Sequence, residues 1–274
     1  ANLKVKDNAG LNKSSAVNVE ENAQYFADSD DVIGSVEGQG KIKLFNSNKT
    51  LSVGSLNEDF TFSGSMSGQG NLTKIGTGIF TLTDANSNSG LTSITNGTLK
   101  VTGSLSNSTD VNVSSGAIYD VDQTDTIGSI AGAGSIEIAD GVTLSAGGSN
   151  TDTEVSGVIS GGGGFKKTGT GTTTLSGANT YTGATSITEG RLKVTGTLSD
   201  STAVNVSSGA AYEVEQTDTI GSIAGAGSIE IADGATLSAG GLNTDTEVSG
   251  VISGGGGFSK SGTGTTTLSG ANTY

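Results

Sequence analysis

The sequence predicts an all-β fold: a parallel β-helix, or β-solenoid, of about twelve coils spanning residues 1–274 as one continuous domain. Three observations predict it. A long internal repeat runs through most of the chain. Short apolar–polar alternations, each bounded by glycine or Asn-Gly, recur where helical periodicity does not. The composition holds 46 glycines and no proline.

The repeat is the strongest of the three. Residues 91–181 align without gaps on 184–274, at an offset of 93, with 13 differences in 91 positions. Gln123 to Gly141 recurs unchanged as Gln216 to Gly234. The differences include Asp120/Glu213, Asp122/Glu215, Val142/Ala235 and Lys166/Ser259. A diverged copy precedes these two: Leu72, Lys74, Gly76, Gly78, Leu82 and Asn86 stand 93 positions before Phe165, Lys167, Gly169, Gly171, Leu175 and Asn179. Nearer the N-terminus the offset is 94, with Ile33–Leu44 matching Ile127–Ile138. The units are therefore residues 1–90, 91–183 and 184–274. The third stops at Tyr274, before the Thr-Gly that follows Tyr181, which predicts a longer array.

Within a unit, Val111-Asn112-Val113, Ile136-Glu137-Ile138 and Val142-Thr143-Leu144 read as short strands, with turns at Asn96-Gly97, Ala139-Asp140-Gly141 and Glu189-Gly190. A sandwich needs longer strands and gives no reason for tandem copies. In a solenoid each coil lies on the one before, so one inward–outward pattern serves every level. Glycine permits positive φ at the corners. Proline would remove a donor from a ladder that continues on both sides. With a coil of roughly 20–25 residues, one repeat makes about four coils. The interior is expected to be a column of small aliphatic side chains: Val101, Val113, Ile127, Ile130, Ile136, Ile138, Leu144, Val155, Leu175 and Ile187, with their counterparts. Thr172-Thr173-Thr174 is assigned to the outward face.

Charge and composition exclude several functions. The net charge is −14, with one arginine, Arg191, so no basic face serves nucleic acid or an anionic membrane. No apolar run reaches membrane-spanning length. Histidine and cysteine are both absent, which removes Ser-His-Asp and Cys-His catalysis and the usual zinc sites.

The segment Gly163 to Leu192 resembles the autotransporter-associated β-strand repeat. Gly163, Gly164, Phe165, Lys167, Gly169, Gly171, Leu175, Gly177, Asn179, Tyr181, Gly183, Thr185, Ile187, Gly190 and Leu192 carry the resemblance. The early copy matches from Gly70 to Leu99, departing at Asn71, Leu72 and Asn88, and the third matches from Gly256 to Tyr274. The resemblance implies a right-handed β-helical passenger of an autotransporter-like protein on the outer surface of Gram-negative bacteria.

Against that background, the candidate chemistry is sparse. The acidic sets Asp120, Asp122, Asp125 and Glu213, Glu215, Asp218 have the residue type for glycoside cleavage, but their recurrence argues for solvated outward faces. Asp28, Asp30 and Asp31 are the densest carboxylates and the weak calcium candidates. The glycine runs 161–164 and 254–257 lack the rest of a phosphate-binding loop and read as corners. Lys166 and Lys167 are assigned to the surface. A threonine triplet once per 93 residues is no regular ice-binding array. The expected function is a structural display stalk or adhesin segment, not an enzyme, with no cofactor. The alternatives are a binding module for carbohydrate or protein on one face, and a self-associating extracellular filament. The extracellular ligand is open, and open sheet edges make end-to-end self-association a physical expectation.

Overall fold

The structure, a computed structural model, describes residues 11–274 in full and the backbone of Asn2–Val5. The chain folds into two compact units, Ala1–Glu137 and Ile138–Tyr274. Each is a parallel β-solenoid, and together they make about 13 turns, close to the twelve expected. Among the described residues every regular element is a strand of two to four residues, and there is no helix.

In the first unit, three ladders of parallel strands surround the interior. One pairs Gln24–Ala27, Lys41–Leu44, Ser65–Gly68 and Ser87–Asn88 in succession. A second runs through Asp31–Ile33, Thr50–Val53, Asn71–Lys74, Thr92–Ile94, Asp110–Val113 and Ser129–Gly132. A third stacks Phe60–Phe62, Ile79–Leu82, Thr98–Val101 and Ile118–Val121. The strands form here because apolar residues occupy alternate positions: Leu99 and Val101 point in while Thr98 and Lys100 point out.

The second unit repeats this plan. One ladder joins Thr153–Val155, Thr172–Leu175, Arg191–Val194, Ala211–Val214, Ser228–Ile231 and Ile252–Ser253. Another joins Thr143–Ala146, Gly164–Lys167, Thr185–Ile187, Ala203–Val206, Ser222–Gly225, Thr246–Val248 and Thr266–Leu268. A third joins Asp218–Ile220, Thr236–Ala239 and Gly257–Lys260.

The register shows that repeat and turn are incommensurate. Starting from Lys167, the in-register partners on successive turns are Ile187, Val206, Gly225, Val248 and Leu268. Four turns thus end at Val248, 81 residues on, and the 93-residue repeat overshoots them by 12. Lys260, the counterpart of Lys167, consequently lies on another face, in register with Ala239 and Ile220. One inward–outward alternation still serves every level, but successive copies do not present equivalent residues on the same face.

All ten aliphatic residues expected inside are buried. The interior is richer than that column, however. Tyr25, Tyr119, Tyr181, Tyr212, Phe62, Phe80 and Phe165 are among its largest fully enclosed side chains. The few aromatics in the chain are mostly spent inside, where each contributes more buried area than an aliphatic residue. Thr173 is also interior, not on the outward face, because strand alternation turns it inward between Thr172 and Thr174.

Glycine has two distinct duties. Gly97, Gly141 and Gly190 take positive φ at the expected turns. Elsewhere glycine is needed because stacked backbones touch: a Cβ on Gly177 would lie 2.1 Å from the carbonyl oxygen of Gly157 on the adjoining turn. Gly148, by contrast, has nothing within 4 Å of such a Cβ. Gly177→Ala is therefore expected to cost about 2–3 kcal/mol in urea unfolding, as overpacking against backbone does, and Gly148→Ala to be near neutral. Equal costs for the two would contradict backbone contact between turns.

Candidate functional site

The repeated polar residues converge on the inside of the turns. Lys167 and Lys74 are both fully buried. This corrects the assignment of Lys167 to the surface. Each sits at an inward strand position, two residues before a glycine of positive φ, Gly169 and Gly76. That corner leaves carbonyl oxygens pointing inward, and the ammonium group donates to three of them. Lys167 Nζ lies 2.7 Å from Thr168 O, 2.7 Å from Gly169 O and 3.3 Å from Glu189 O. Lys74 Nζ lies 2.8 Å from Ile75 O, 2.8 Å from Gly76 O and 3.1 Å from Asn96 O. Three donors meet three acceptors, which satisfies the buried charge without a counterion. Burial lowers the pKa of both lysines, that of Lys74 to about 8. Lys166, one residue along, is only half-buried on the outer side.

The motif asparagine joins three successive turns. Asn179 Oδ1 accepts from Ile159 N at 3.0 Å, and its Nδ2 donates to Gly177 O and Thr197 O at 2.9 and 3.0 Å. Asn86 repeats this arrangement on Met66 N, Asp84 O and Ser104 O. Tyr181 and Thr185, both fully buried, share a hydrogen bond of 2.5 Å between their hydroxyls. Sequence reasoning missed a further pair of clamps. Asn150 and Asp152 accept the N–H groups of Thr170 and Thr172 on the next turn at 2.8 and 2.7 Å, and Asn57/Asp59 and Asn243/Asp245 do the same. The recurrence of Asn-x-Asp at one place in all three copies was the available signal.

The carboxylates divide into two groups. Asp120 and Asp122 face outward and pair with Lys100 at 2.8 and 2.5 Å. Glu213 and Glu215 pair with Lys193, and Glu213 also with Arg191. Such partly exposed pairs contribute about 0–1 kcal/mol each. Asp125 and Asp218 are different. They are buried, which corrects their placement on solvated faces, because each closes a turn by accepting backbone N–H groups. Leu105 and Thr126 donate to Asp125 at 2.9 and 2.8 Å, and Leu198 and Thr219 to Asp218 at 3.0 and 3.0 Å. Burial pushes both carboxyls up to about 6, against the pull of those donors.

The calcium candidates do not converge. Asp31 is buried, accepting from Tyr25 Oη at 2.8 Å and Ser29 Oγ at 3.0 Å. Asp30 faces outward and accepts from Thr50 N at 2.9 Å and Lys49 Nζ at 3.2 Å. Asp28, two residues before Asp30, is half-buried. No group of three or more acidic residues among the described residues is placed to hold a metal ion. The glycine run at 162–164 lines a shallow groove with Lys166, Ala184 and Ser186. Among the described residues no helix is long and apolar enough to cross a membrane.

Two expectations follow. Lys167→Met keeps the aliphatic stem but leaves three buried carbonyls unpaired, and urea unfolding is expected to show a loss of about 2–4 kcal/mol, against near zero for Lys166→Met. For Asp125 and Asp218, the folded-state pKa of about 6 lies above the ordinary 3.8, so the folded chain binds more protons between those values. Their contribution to stability is greatest below about pH 4, falls as pH rises through about 6, and is flat above about pH 7. Stability is expected to drop by up to about 1 kcal/mol per group from pH 5 to pH 7.5, a drop that Asp125→Asn with Asp218→Asn removes. An unchanged pH dependence in that variant would contradict the assignment.

No curated protein and no solved structure matches the chain. The family described as the passenger-associated-transport-repeat matches at residues 72–101, 165–194 and 258–274. These spans begin two residues before Lys74, Lys167 and Lys260, and the first two close on the buried Val101 and Val194. Three segments of the chain, the third covering only residues 258–274, thus match the passenger-associated-transport-repeat, a repeat of autotransporter passengers, and they lie in parallel β-solenoid.

Proposed function

We propose that this chain is a display stalk within an autotransporter passenger on the bacterial surface, a non-catalytic spacer that holds a binding region away from the cell. The observation that carries this reading is where the motif spends its side chains. Phe165, Lys167, Leu175, Asn179, Tyr181, Thr185, Ile187 and Leu192 are all buried, and the polar ones among them bond backbone or one another. What the repeat encodes is therefore the stacking of turns. The shift of Lys260 to a different face from Lys167 supports the same reading, since a ligand surface repeated once per copy would turn away from its neighbour. The repeated carboxylates Asp120, Asp122, Asp125 and their counterparts are engaged in ion pairs or turn closure, which is the work of a scaffold.

A second reading, a binding module, rests on the groove beside Lys166. The two separate experimentally. A reporter epitope displayed on a Gram-negative surface is expected to become more accessible to antibody when this segment is inserted beneath it. The isolated segment is expected to show no saturable binding on glycan arrays or host cells. Saturable binding that Lys166→Glu abolishes would replace the stalk with the module.

A further inference from the structure

The first unit departs from the motif at two interior positions. Where the later copy has Tyr181, the early copy has Asn88, and where the later has Phe165, the early has Leu72. The surroundings are otherwise alike. Thr92 stands for Thr185, both fully buried and in register with Leu72 and Phe165 respectively. Thr109 donates its hydroxyl to Asn88 O as Thr202 does to Tyr181 O. In the later copy the Tyr181 and Thr185 hydroxyls satisfy each other. In the early copy a shorter side chain cannot reach. Neither the amide nitrogen nor the carbonyl oxygen of the Asn88 side chain has a hydrogen-bond partner among the described residues, and neither has Thr92 Oγ1. Asn88 is 1 % exposed and Thr92 is 0 % exposed.

The geometry points to an internal hydration site: a single water molecule bound inside the first unit by the Asn88 side-chain amide and the Thr92 hydroxyl, in the position taken by the tyrosine hydroxyl in the motif. Three buried polar atoms without partners at one level are costly and uncommon in native proteins. A buried water needs two to four polar partners, and these atoms supply three. The amide offers both donor and acceptor, and the hydroxyl offers either. The exchange of Phe165 for Leu72 removes ring volume from the same level.

Thr92→Val tests the site by the sign of its effect. If water serves the hydroxyl, the substitution removes a hydrogen bond and lowers the melting temperature by about 2–4 °C. If the hydroxyl has no partner, its replacement by a methyl group of the same shape raises the melting temperature, which would overturn the proposal. A high-resolution crystal structure of the unaltered chain provides the second readout. One isolated density peak within hydrogen-bond distance of Asn88 and Thr92 is the expected result. A direct bond between the two side chains, with no such peak, would overturn it.

Discussion

The constraint on which everything else depends is that each turn of backbone lies within hydrogen-bonding reach of the next. In-register partners recur every 19–23 residues along the ladder from Lys167 to Leu268. Along the strands this pairing satisfies the peptide groups without help. At the corners it does not. There the stacked backbones either touch, which admits only glycine, as at Gly177 over Gly157, or leave carbonyls facing inward. The buried lysines, asparagines and aspartates answer the second problem. Lys167 gathers three corner carbonyls, Asn179 joins three turns, and Asp125 and Asp218 collect backbone N–H groups. The apolar interior provides the driving force, and these polar groups decide where each turn ends and the next begins.

Seen this way, the motif is a set of corner solutions written in sequence. Its glycines, its lysine and its asparagine all act on backbone, and its aromatic residues fill the space between. Little of it reaches the outer surface, which holds Thr, Ser and acidic residues partly matched by Lys100, Arg191 and Lys193. The chain can therefore diverge outside while keeping its fold, as Asp120/Glu213 and Asp122/Glu215 do with ion pairing preserved.

Much of the fold was legible before any coordinates. Alternation at Val111-Asn112-Val113 and Ile136-Glu137-Ile138 placed the inward residues correctly, because strand geometry leaves no third choice. Asn96-Gly97 and Glu189-Gly190 marked real left-handed corners. Lys167 was misread because a charged residue beside Lys166 looks like surface, and only the three-dimensional corner supplies its carbonyls. Asp125 and Asp218 were misread for the same reason, since their partners Leu105 and Leu198 lie 20 residues back. The rotation of one copy against the next was hidden because turn length is not written in the repeat. The longer step from Gly225 to Val248 arises in a loop and cannot be counted without the register.

The most direct test of stacked, in-register turns uses the absence of native cysteine. Ser186→Cys with Asn205→Cys places two thiols on outward residues that are register partners on adjacent turns. The stacking account predicts a disulfide that forms readily on mild oxidation and leaves the unfolding transition intact, since parallel neighbours stand about 4.8 Å apart, within bonding range. A chain that forms no such bond, while Ser186→Cys links readily to a cysteine at Asp200 or Ala210, would contradict it.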